Sequence, residues 1–142
     1  MLSSRSSRWT AATLLLFCGI VALADDRVDA AVNRLSSVQR FAFGGVGYAG
    51  VTSKGEIDFK LVISEPRQDA LNAFEKLYAA GNPQGKAYAL SGMKKLNPKR
   101  FKELLASLAA SKDEVEVMRG CIVSHELLRD LASQIDKGKF RF

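Results

Sequence analysis

Three X-Pro pairs, Glu65-Pro66, Asn82-Pro83 and Asn97-Pro98, constrain this chain more than any other feature. Proline inside a helix removes a hydrogen bond and clashes with the preceding turn, but in the first turn its missing N–H has no partner to lose. Asn82 and Asn97 add preferred N-caps, because an Asn side-chain oxygen takes a free amide hydrogen. The pairs therefore read as successive helix starts, 17 and then 15 residues apart. Behind Pro66, Leu71, Phe74, Leu77 and Tyr78 form one stripe that ends at Gly81. Behind Pro83 come Ala87, Leu90 and Met93, with Gly92 placed for close helix contact. Behind Pro98, Phe101, Leu104, Leu105 and Leu108 form the clearest amphipathic helix of the chain.

The flanks extend this helical pattern. Val28, Val32, Leu35 and Val38 stand at helical spacing, with Asp25 and Asp26 near the positive helix start. "AFGGVGYAGVTSKG" carries five glycines and no stripe, and residues 44–55 read as a loop in which Tyr48 tucks against the core. Ser53 to Glu56 has capping-box spacing, followed by Ile57, Leu61 and Val62 as the inner face of a short helix. "DEVEVMRG" alternates Val115 and Val117 with acids, which fits a short extended segment or a continuing helix turn. Ser124 then reads as the N-cap of a last helix with His125 in its first turn and Leu127, Leu128, Leu131 and Ile135 inside. Lys137, Lys139 and Arg141 leave a basic, frayed tail. The expectation is an all-α domain of about six helices, either a compact bundle or a short helical stack.

The stack has a named likeness. "NPQGKAYALSGMKKLNPKRFKELLASL" resembles the paired helices of HEAT-type repeats, with a small-residue-rich helix ("AYALSGM") beside a longer amphipathic one ("RFKELLASL"). The resemblance covers residues 64–110. It implies a protein-binding surface and carries over no catalytic residues.

Residues 1–24 differ in kind from the rest. Arg5 and Arg8 precede the apolar run "TAATLLLFCGIVALA", which closes on Ala22-Leu23-Ala24 before the polar "DDRVDA". This order is that of a secretory signal peptide, and the run is shorter than the roughly 20 apolar residues of a spanning helix. Cleavage near Ala24 and export to the periplasm or medium in bacterial style is the expectation; an uncleaved membrane anchor is the alternative. Phe17 before Cys18 argues against lipidation. Loss of Arg5 and Arg8 lowers the net charge from +6 to +4 and leaves 25–142 as a single helical domain with one cysteine. Such mild basicity, with few interleaved aromatics, argues against nucleic acid as partner.

"GVGYAG" at 45–50 matches the G-x-G-x-x-G of dinucleotide turns, but that motif works only between a buried strand and a helix. The segment before Gly45 is amphipathic and helical, and Gly55 interrupts any helix starting directly after Gly50. The Walker spacing of Gly50 and Gly55 fails as well, because Glu56 stands where a lysine must neutralise phosphate. No nucleotide and no cofactor is implied.

Cys121 and His125 are four apart and would share a helix face. With Ile122 and Val123 beside it, Cys121 reads first as a buried structural thiol, then as an intermolecular disulfide, and last as a reactive or metal-linked thiol. A metal would need two more ligands, and the only histidine and mature cysteine are already spent. Lys94, Lys95, Lys99, Arg100 and Lys102 lie within nine residues without an acid, and Lys99 and Arg100 fall in a predicted first turn. That cluster would suit a phosphate or carboxylate, as on anionic lipid, lipopolysaccharide or cell-wall polymer; a solvated corner is the plainer reading. Asp113, Glu114 and Glu116 read as a solvated loop rather than an acid–base site. The leading functional expectation is an exported module that binds another protein through helical faces. A binder of anionic envelope components through 94–102 comes second, and a thiol-dependent enzyme third.

Overall fold

The computed structural model describes residues 26–142, so the leader reading of residues 1–24 lies outside the described residues. Helix α1 covers 26–36, with Val32 and Leu35 buried and Val28 half-buried. A short strand pair follows, β1 (Gly45–Val46) and β2 (Val51–Thr52), then α2 (Lys54–Ile63), α3 (Arg67–Ala80), α4 (Pro83–Leu96) and α5 (Pro98–Ser107). Strands β3 (Glu114–Arg119) and β4 (Ile122–Leu127) form a second antiparallel hairpin before α6 (Leu128–Asp136). The protein is thus mainly helical with two small antiparallel sheets, rather than purely α.

The proline signals translate directly into helix starts. Asn82 and Asn97 each cap their helix by accepting from the backbone N–H three residues on, with Pro83 and Pro98 in the first turn. Asn82 also donates to Val38 O (2.7 Å), tying the end of α1 to the start of α4. Pro66 differs slightly, standing just outside α3, which begins at Arg67.

Helix α4 is the centre. Tyr88, Leu90 and Met93 are fully buried, and so are Ala87, Ala89 and Ser91 on the intervening positions. A helix buried nearly all round needs small residues where neighbours approach closely. Gly92 meets that need: a Cβ there would lie 2.4 Å from the Phe74 ring of α3. Around α4 pack α2, α3, α5, α6 and β3.

Two expectations near the chain ends are corrected. The final helix begins at Leu128, not behind Ser124, because residues 122–127 pair with β3 across a turn at Gly120 and Cys121. β-Branched Ile122 and Val123 favour the strand, and the alternating Val115 and Val117 of β3 bury one face of it. The tail is not frayed. Phe140 stacks edge-on against Phe41 at 5.2 Å, and Phe142 contacts Phe43 at 5.0 Å and Phe59 at 5.6 Å. These rings extend an aromatic cluster that includes Tyr88 and Phe74.

Helix α2 also turns differently from its predicted stripe. Ser53 caps it by accepting from Glu56 N (3.0 Å), as the capping box predicts. The Glu56 carboxylate, however, accepts from Gly44 N (2.8 Å) and is buried. With Glu56 and Asp58 turned inward, Phe59 and Val62 form the buried face and Ile57 is exposed. Asp58 takes a forked hydrogen-bond set from Arg34 of α1, at 2.6 to 3.1 Å.

Candidate functional site: two joined hairpin tips

The glycine-rich segment is a hairpin, not a strand-to-helix turn. Gly47 and Gly50 adopt φ of +69° and +61°, the left-handed region that glycine enters without steric cost. They reverse the chain between β1 and β2, and Gly44 N is already engaged by Glu56. The turn of the second hairpin has Gly120 at φ +59°.

The two hairpins are stitched together. Gly47 N donates to Gly120 O (3.0 Å), and Val46 forms a parallel bridge with Gly120. Further back, Phe41 N donates to Glu116 O (2.8 Å) and Met118 N to Phe41 O (2.9 Å). The segment from Phe41 to Val46 therefore runs along one edge of β3 while β4 occupies the other.

This arrangement gathers exposed apolar side chains. Tyr48 is fully exposed rather than tucked against the core, Val51 is 58 % exposed and Ile122 73 %. Of the five large exposed hydrophobic residues among the described residues, only Ile57 lies outside these hairpins; the fifth is Val123. Below the tips an open cleft of about 330 Å³ has an apolar floor of Val38, Ala42, Val46 and Met118. Arg40 and Lys54 stand at its rim. Arg40 is held by Glu116, so this acid is an ion-pair partner and not a member of a solvated loop. Asp113 lies 3.7 Å from Lys86.

Cys121 is exposed at the β3–β4 turn, which corrects its reading as a buried thiol. His125 is exposed on β4 opposite Glu116, so the pair does not share a helix face. Among the described residues no three His, Cys, Asp or Glu side chains cluster for a metal.

The basic segment is largely engaged within the fold. Lys94 and Lys102 both donate to Asp136, each at 2.6 Å, from α4 and α5 to the end of α6. Hydrogen bonds from Lys102 and then Lys94 hold the Asp136 carboxyl below its ordinary range. Arg100 binds Glu75 of α3 (2.7 Å) and Glu103 (3.2 Å), and those bonds raise its already high pKa. Lys95 reaches Phe142 O at 3.3 Å. Lys99 has no ion-pair partner among the described residues. Three of the five cations are thus paired with acids, Lys94 and Lys102 with Asp136 and Arg100 with Glu75 and Glu103, and the cluster does not converge on one point. A helix-start reading from sequence cannot see Glu75 or Asp136, which reach the cluster from α3 and α6.

Sequence reasoning missed the hairpin tips because their signal is the exposure of Tyr48, Val51 and Ile122, and exposure depends on the fold. No family model, curated protein or solved structure matches the chain.

Proposed function

We propose that the protein is a protein-binding module whose docking surface is the pair of joined hairpin tips. One observation supports this reading: the large exposed apolar residues concentrate on two tips that hydrogen bonds hold together. Contiguous exposed apolar surface is costly in water and marks interaction sites. A tyrosine at such a surface brings large contact area and a polar end at low entropic cost. The docking surface is therefore strand-borne, not the helical faces expected from sequence. A HEAT-like pairing of helices within 64–110 fits this role as scaffold, since α3, α4 and α5 follow one another through links at 81–82 and 97. Export by cleavage near Ala24 belongs to the same proposal, and an intact mass of the protein from its producing cells tests it.

The anionic-ligand reading has less support, because Lys94, Arg100 and Lys102 already have acidic partners. The experiment is a binding comparison in extracts of the producing cells. Capture of a partner protein should be lost with Tyr48→Ser plus Ile122→Ser and kept with Lys99→Glu plus Arg100→Glu. The opposite pattern would overturn the proposal in favour of the basic segment.

A further inference from the structure

The backbone pairing of β3 leaves a second kind of surface beside the tips. Glu116 O and Met118 N point to Phe41, so in an antiparallel ladder Val115, Val117 and Arg119 turn their backbone groups to β4. Their partners in β4 are Glu126, Ser124 and Ile122. By the same alternation, the N–H and C=O groups of Val123 and His125 point away from β3. Among the described residues no backbone group bonds to them. An edge of this kind is a template for another strand unless proline, a bulge or an unpaired charge blunts it. β4 has no proline, its pairing with β3 runs without a bulge, and its one acid, Glu126, is held by Arg119 and Gln134.

We infer that β4 pairs with β4 of a second copy of this chain, joining two hairpins into a four-stranded antiparallel sheet. The edge is complementary to itself. In the two-fold register that sets His125 opposite His125 of the second copy, Val123 faces Leu127 and Ser124 faces Glu126. Apolar groups then meet apolar groups, the outward N–H and C=O groups of His125 are exchanged between copies, and no carboxylate opposes another. The inference rests on the outward edge of β4 and not on Tyr48, Val51 or Ile122, so it stands or falls apart from the proposed docking surface.

Sedimentation velocity on the full chain, with residue-resolved amide hydrogen exchange at low and high protein concentration, tests it. A dimer should form as concentration rises, with the Val123 and His125 amides gaining protection. The inward amides of Ser124 and Glu126 should be protected throughout. His125→Lys places like charges directly opposite in this register and should weaken the dimer by up to about fivefold, while Tyr48→Ser leaves it intact. A monomer at all concentrations would overturn the inference, as would a dimer whose Val123 and His125 amides stay unprotected. The wild-type exchange pattern decides even if the His125 variant fails to fold.

Discussion

The Tyr88 hydroxyl engages both backbone polar groups of Ala42: it donates to Ala42 O (2.9 Å) and accepts from Ala42 N (3.0 Å). Ser53 Oγ also donates to Ala42 O (3.0 Å). The central helix thereby holds the chain at the point where α1 has ended and the strand segment toward β1 begins. A buried tyrosine on α4 is thus linked, through one residue, to the hairpin that carries Tyr48.

Tyr88→Phe keeps the ring and removes these bonds, leaving the Ala42 N–H buried without a partner. The expected cost is about 1–3 kcal/mol, read as a lower denaturant midpoint with unchanged slope. Burial raises the Tyr88 pKa above the ordinary 10. The folded state therefore holds this proton more tightly than the unfolded state, and its contribution is complete below pH 10. It is lost as pH rises from there through the folded pKa. The variant should lose less stability than the wild type across that alkaline range.

Gly92→Ala puts a methyl group where the Phe74 ring already lies, 2.4 Å from the added carbon. Alanine is the better helix former by about 1 kcal/mol, but the overlap forces α3 and α4 apart, at a typical cost of about 1–3 kcal/mol. The net expectation is a lower thermal midpoint; a rise would show that Phe74 turns aside freely.

Asp136→Asn releases Lys94 and Lys102 together. The pair lies near the surface, so at neutral pH the expected loss of stability is at most about 1 kcal/mol. The wild-type carboxylate titrates below its ordinary 3.8, so its contribution is full above that value and falls as pH drops through the folded pKa. Acid unfolding curves should show the variant losing less stability than the wild type below pH 3.8. The same change should increase retention on a sulfonated resin at neutral pH, since it removes one negative charge beside two lysines.

Tyr48→Ser with Ile122→Ser should leave stability within about 0.5 kcal/mol, because neither side chain supports the core. Circular dichroism melts check this, and partner affinity measured in parallel should fall about tenfold or more. A collapse of the fold would show that the tips are structural.

The helical frame was legible because its signals are local. Asn82, Pro83, Asn97 and Pro98 act through covalent geometry and neighbouring amides, and the stripes of α3 and α5 require nothing from the rest of the chain. Gly92 could be read as a contact point for the same reason. The strand at 122–127 was not legible, since Ser124 has the chemistry of a cap and loses that role only when β3 offers a pairing edge. The exposure of Cys121 has the same origin, because that pairing puts it in the turn. Glu56 shows a related limit: its spacing to Ser53 was correct, but its carboxylate serves Gly44 in the preceding loop. The basic cluster was visible as a run of charges, while its partners Glu75 and Asp136 are distant in sequence.

The central claim is that the hairpin tips are where this protein meets its partner. The most direct measurement places a photo-crosslinking amino acid at Tyr48, and separately at Lys99, and irradiates cells that produce the protein. The tips reading predicts an adduct with another polypeptide from position 48 and none from position 99. An adduct from position 99 alone would contradict it.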